Sequence, residues 1–170
     1  KFKMRSNFGF TIMELMVVIA IVGIIASFAI PNYIGWLPDR RLDRAVNDVQ
    51  SLLQQARLRA VKENAQVIVL FDPDADGNLG GDYIAFLDDD SNPASLWTRE
   101  TGTEPLVGSG KLPKGVSFTG TGLTNNRLRY NSRGTVEPDS GGNFFGITLR
   151  NSRNATKQVT LSILGNCRIQ

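Results

Sequence analysis

Gly9-Phe10-Thr11-Ile12-Met13-Glu14-Leu15, running on to Ile30 without another charge, decides how the rest of the chain is read. Between Phe10 and Ile30 the only formal charge is Glu14. As a helix rising about 1.5 Å per residue, this run is about 31 Å long, close to the thickness of a bilayer's hydrocarbon core. Lys1, Lys3 and Arg5 precede it with no acid among them, which makes a positive-inside flank. A secretory signal peptide carries about 7–15 apolar residues with a small-residue cleavage site behind them. Here the run is longer, and the small residue, Gly9, stands in front of it. A cut after Gly9 removes the basic flank and leaves the apolar helix as the new N-terminus.

Spelled Gly-Phe-Thr-Ile-Met-Glu-Leu, this arrangement resembles the leader of type IV prepilins over Gly9 to Tyr33. The resemblance implies cleavage between Gly9 and Phe10 by a prepilin peptidase, then methylation of the Phe10 amine. Residues 1–9 are then leader, with Met4 a workable start, and 10–30 a transmembrane or filament-core helix. Glu14 calls for a reason, because a carboxylate at the bilayer centre costs at least about 2.5 kcal/mol. It lies at i+4 from Phe10, on the same helix face, and an acid in the first turn suits the helix dipole. Two readings stand. Glu14 reaches back to water near the interface, or, as the resemblance implies, it pairs with the Phe10 amine of a neighbouring subunit during assembly.

All of the formal charge of +3 comes from the leader, so the mature chain balances 16 bases with 16 acids. No second apolar run reaches spanning length, which predicts a single pass with the C-terminal domain outside the cytoplasm; the resemblance implies that the membrane is the bacterial inner membrane and that the head lies in the periplasm. Pro31 lacks a backbone donor and is expected to kink or stop the helix near Ser27 to Ile30, with Gly35 and Pro38 as further weak points. Beyond them Leu42, Ala45, Val46, Val49, Leu52, Leu53, Ala56, Ala60 and Val61 keep helical spacing. This predicts one long, locally weakened helix from Phe10 to about Glu63, its amphipathic part over 31–64. The alternative is two helices joined by a loop at Gly35–Pro38.

From Ala65 the period changes. Gln66–Phe71 is a β-branched apolar run, and Asp82–Leu87 is its expected hairpin mate. Val116–Phe118, Arg127–Tyr130, Thr135–Glu137, Phe144–Arg150 and Gln158–Leu164 follow as strand candidates, with Gly, Asn, Ser and Pro between them. No internal repeat is expected. The fold class is α+β: a long N-terminal helix packed on one face of an antiparallel sheet, with residues 65–170 as a β-rich head. Ala56-Arg57-Leu58-Arg59-Ala60-Val61, Asn131-Ser132-Arg133-Gly134 and the closing Gly165-Asn166-Cys167-Arg168-Ile169 resemble the minor pseudopilin family that includes GspH, FimT and FimU. That resemblance implies a subunit that starts or caps a type II secretion pseudopilus or a type IV pilus, with other pilins as partners. A major pilin is an alternative. Asp88 to Pro113 is the least family-like stretch and reads as variable loop.

With no histidine and one cysteine, the chain has no Ser-His or Cys-His nucleophile pair and no histidine metal site, so an enzyme is not expected. No cofactor is expected, with calcium the one candidate. Asp72-Pro73-Asp74-Ala75-Asp76-Gly77 has the alternate-oxygen spacing of a calcium loop, with Asp72, Asp74 and Asp76 as candidate ligands. The EF-hand pattern fails at position twelve, where Tyr83 stands, and a polar hairpin turn explains the same residues. Cys167 has no partner within the chain and is expected to be buried in a terminal strand. Residues 64–90 carry seven acids and no base, while 111–170 carry nine bases against Glu137 and Asp139. Such asymmetry suits stacked heads in a filament, or DNA phosphates held by Arg150, Arg153 and Arg168. Some FimT-like proteins bind DNA through a Gly-Arg-x-Arg close. Asn166 stands where the first of those arginines belongs, which weakens the reading of a DNA-binding minor pilin of a competence pilus.

Overall fold

The computed structural model describes residues 10–72, 82–88, 99, 104–138 and 144–170. Among the described residues one α-helix, α1 (Ile12–Glu63), precedes nine strands: β1 (Gln66–Phe71), β2 (Tyr83–Asp88), β3 (Leu106–Gly110), β4 (Val116–Gly120), β5 (Arg127–Tyr130), β6 (Val136–Pro138), β7 (Phe144–Asn151), β8 (Thr156–Ser162) and β9 (Cys167–Ile169). Thr11 opens α1, its hydroxyl accepting the Glu14 backbone N–H at 3.2 Å, so one of the first-turn donors is satisfied. The helix runs unbroken through Pro31 and Pro38. Pro31 therefore does not stop it, and the loop at Gly35–Pro38 does not form. Ser27, whose carbonyl has no N–H to meet at Pro31, turns its own hydroxyl to the Ile24 carbonyl at 2.7 Å. At the other end Asn64 adopts a left-handed φ of 50°. Its N–H meets the Val61 carbonyl, and the Ala65 N–H meets that of Ala60, which satisfies two last-turn carbonyls in a Schellman closure.

Two compact units divide the chain between Leu37 and Pro38. The second carries the core. Leu42, Ala45, Val46, Val49, Leu53, Ala56 and Ala60 form the buried stripe of α1, and the small residues among them let strands approach closely. The strands make two antiparallel sheets where the sequence suggested one, ordered β3-β2-β1-β5-β6 and β4-β7-β8-β9. Both contribute to the core around the stripe, through Val67, Val69, Phe71, Leu128 and Tyr130 from the first, and Phe118, Ile147, Leu149, Val159 and Leu161 from the second. The hairpin between β1 and β2 forms as expected, with Gln66 opposite Asp88 and Phe71 opposite Tyr83.

β1 reads as a continuous apolar run because both its faces are buried. Val67, Val69 and Phe71 enter the main core, while Ile68 and Leu70 join Ile84 and Phe86 in a second buried cluster. In β8, by contrast, Val159 and Leu161 are buried and their neighbours polar, the alternation of a sheet with one wet face. One strand was not anticipated: β3 lies inside the stretch read as variable loop, whereas β9 is the terminal strand expected at Cys167.

Candidate functional site

The N-terminal candidates belong to the first unit. Gly9 lies outside the described residues. Phe10 is 81% exposed, and Glu14 is exposed one turn on. From Ile12 to Ile30 no residue is buried within the chain. An apolar helix with no intramolecular cover needs lipid or other helices around it. Because the Thr11 hydroxyl meets the backbone of Glu14, the carboxylate itself is left free of that cap.

Two turns in the head share a design that sequence reading passed over. Asn131-Ser132-Arg133 joins β5 to β6, and Asn151-Ser152-Arg153 joins β7 to β8. In each, the asparagine Oδ1 accepts two backbone N–H groups, from Arg133 and Thr135 in the first and from Arg153 and Ala155 in the second. The fourth residue takes a left-handed φ, 74° at Gly134 and 63° at Asn154. Each turn then holds a different end of the amphipathic part of α1. The Asn151 amide donates to Asp39 Oδ1 at 2.7 Å, Arg153 pairs with Asp39 at 3.4 Å, and Lys157 pairs with Asp43 at 2.6 Å. At the far end Arg57 donates from Nε to the Gly134 carbonyl at 3.1 Å and from Nη1 to the Gly165 carbonyl at 3.3 Å. The repeated Asn-Ser-Arg was the signal available in the sequence.

Of the three candidate phosphate-binding arginines, the fold brings two together. Arg150 sits opposite Thr156, and Arg168 opposite Thr160. Both therefore lie on the face of the second sheet that points away from Val159 and Leu161. Both are exposed. Arg153 belongs to the turn and is held by Asp39. The four strands of this sheet contain no Asp or Glu.

Among the calcium candidates, Asp72 is buried, with one carboxylate oxygen lacking a hydrogen-bond partner. Asp74 and Asp76 lie outside the described residues. Among those described, no group of three potential ligands assembles. Cys167 lies in the terminal strand but is half-buried rather than fully so. Burial raises its thiol pKa, against the opposing pull of a hydrogen bond from Gln54 and of nearby Arg57. It is thus a poor nucleophile at neutral pH. Burial also raises Tyr130, whose hydroxyl is buried without a partner.

Comparison with known proteins gives matches over most of the chain. Residues 45–165 match the family described as type II transport protein GspH, and residues 4–30 match the prokaryotic N-terminal methylation motif. A fimbrial protein of Pseudomonas aeruginosa is 31% identical over 126 residues, 73% of this chain and 81% of its own length. The type II secretion system core protein G of Vibrio cholerae is 46% identical over 50 residues, which is 29% of this chain and 34% of that protein. Among solved structures, the type IV minor pilin FimU of Pseudomonas aeruginosa shares the fold with a TM-score of 0.54 at 13% identity, over 78% of this chain and 90% of that one.

Proposed function

The chain belongs to the GspH family of pilin-like subunits, and from that premise we propose that it is a minor subunit that starts or caps the filament of a type II secretion machine or a type IV pilus. The observation that carries this reading is the uncovered apolar helix from Ile12 to Ile30. Before assembly, lipid covers it. In a filament, the matching helices of neighbouring pilins do so. Processing by a prepilin peptidase between Gly9 and Phe10, methylation of the Phe10 amine, and inner-membrane anchoring with a periplasmic head belong to the same proposal. The motif matched over residues 4–30 supports them.

Glu14 is the residue we assign to assembly, as the counter-charge to a neighbour's Phe10 amine. Glu14→Ala separates this role from a local one, because the Thr11 hydroxyl caps a backbone N–H that alanine also has. Insertion into the membrane becomes easier without the charge. We expect Glu14→Ala subunits in the membrane fraction at wild-type levels and depleted in sheared filaments. Normal incorporation into filaments would refute the pairing.

A DNA-binding role is the second reading. Arg150 and Arg168 on one acid-free face favour it. The balanced charge of the mature chain, which gives little long-range attraction, and the engagement of Arg153 by Asp39 weigh against it.

A further inference from the structure

The outer face of the second sheet holds a groove of about 380 Å³ lined by Thr160, Ser162, Leu164, Asn166, Arg168 and Gln170. Thr160 and Arg168, paired across β8 and β9, lie at its centre. Two features of this groove lack partners among the described residues. The hydroxyl oxygens of Thr160 and Ser162 are shut off from water and have no hydrogen-bond partner. Such orphaned groups forfeit their hydration without recompense. Among the described residues the Arg168 side chain, opposite Thr160 in register, has no ion-pair or hydrogen-bond partner, and the strands of this sheet supply no acid. Hydroxyl donors beside an unpaired guanidinium form a receptor for a carboxylate, which accepts from both at once.

We infer that this groove binds an acidic peptide segment of a neighbouring protein subunit. Its carboxylate sits on Arg168, takes hydroxyl hydrogens from Thr160 and Ser162, and has Arg150 further along the same face for a second acid. The proposal rests on the filament reading and adds to it a partner surface on the head, distinct from the helix core. Complementary charge argues for an anionic occupant, and the sparseness of that charge for a peptide over nucleic acid. A single arginine stands in the groove among neutral hydroxyls and amides, with no aromatic lining residue on which a base could stack. Duplex DNA requires neutralisation of a run of phosphates. The hydroxyl oxygens are covered in the unbound chain, so the side chains above them shift as the peptide enters.

The test uses the full chain in a neutral detergent and fluorescently labelled hexaglutamate as probe, with hexaglutamine as control, by anisotropy at low salt. Saturable binding of hexaglutamate alone is expected, with Arg168→Gln weakening it about tenfold, the value of one charge-assisted contact. Arg153→Gln should leave it unchanged, since Asp39 already engages Arg153. Thr160→Val distinguishes binding from structure. It removes an orphaned hydroxyl, so the thermal midpoint should hold or rise while peptide affinity falls about threefold, since a contact is lost as the fold gains. Three outcomes would overturn the proposal: no saturable binding, binding indifferent to Arg168→Gln and Thr160→Val, or a 20-bp duplex displacing hexaglutamate at lower concentration than unlabelled peptide does. No filament is needed for any arm, so failure here leaves the Glu14 test standing, and the reverse also holds.

Discussion

Replacing Gly165 with alanine probes the joint where α1 meets both sheets. Gly165 has a φ of 78°, and a Cβ there would lie 2.4 Å from the Gly134 carbonyl oxygen and 2.9 Å from Arg57 Nε. Gly115 has nearly the same backbone, φ 85°, yet its nearest neighbours would be ordinary contacts at 3.7 Å from Ser152. A left-handed φ costs a non-glycine residue roughly 1–2 kcal/mol, offset in part by the stiffer unfolded chain. Gly115→Ala should therefore lose about 1 kcal/mol. Gly165→Ala adds displacement of the Gly134 and Gly165 carbonyls, which both accept from Arg57. Hydrogen bonds to a charged group contribute roughly 1.5–3 kcal/mol each, and the low end applies to a partly exposed guanidinium, so the total loss should be about 3–4 kcal/mol. Urea unfolding of a fragment spanning 38–170 at pH 7 reads both values on one scale. Equal losses for the two variants, within about 0.5 kcal/mol, would refute the claim that crowding at this joint, rather than φ alone, requires glycine.

Gly9→Val should block leader removal, because the peptidase site needs a small residue before Phe10; intact mass set beside wild type decides it, and identical trimmed masses would contradict the assignment. Glu137 carries a pH dependence. The Asn131 amide donates to it at 3.0 Å and Arg129 at 2.7 Å, and these bonds hold its carboxyl below the usual value against an opposing effect of burial. A depressed carboxylate stabilises the fold above its unfolded pKa of about 4.3 and loses that contribution as pH falls through the folded value. Glu137→Gln should accordingly be less stable than wild type at pH 7 and match it near pH 3. A gap that persists unchanged at pH 3, read by urea midpoints, would point to packing instead of charge.

Period and breakers made the long helix and most strands legible. Leu42 to Ala60 kept helical spacing because that stripe alone is buried, and β1 declared itself by β-branched residues packed on both faces. β3 was hidden for a physical reason. Its Gly108 and Gly110 argue against a strand, yet they are there because Leu52 and the Tyr83 ring lie against them, where a Cβ would come within 2.7 and 2.3 Å. Periodicity also says which residues turn inward without saying which strands pair, so the division into two sheets could not be read. At the N-terminus, Phe10 and Glu14 are proposed from local sequence alone, since a cleavage site and a lone charge in an apolar run are written in consecutive residues. The groove was hidden in the sequence, since Thr160 and Arg168 meet only through the register of β8 on β9. Arg153 looked free because its partner, Asp39, is 114 positions away.

The two Asn-Ser-Arg turns give the head a particular mechanical character. They grip α1 at Asp39 and Arg57, points about 27 Å apart along the helix at 1.5 Å per residue. A tug along the axis of α1, as the proposed filament role would deliver, loads both grips and the apolar stripe between them in parallel. Bonds strained side by side in shear must yield together, whereas bonds peeled in sequence yield one by one. The helix is thus riveted rather than glued to its head, and tension enters the domain spread over five turns.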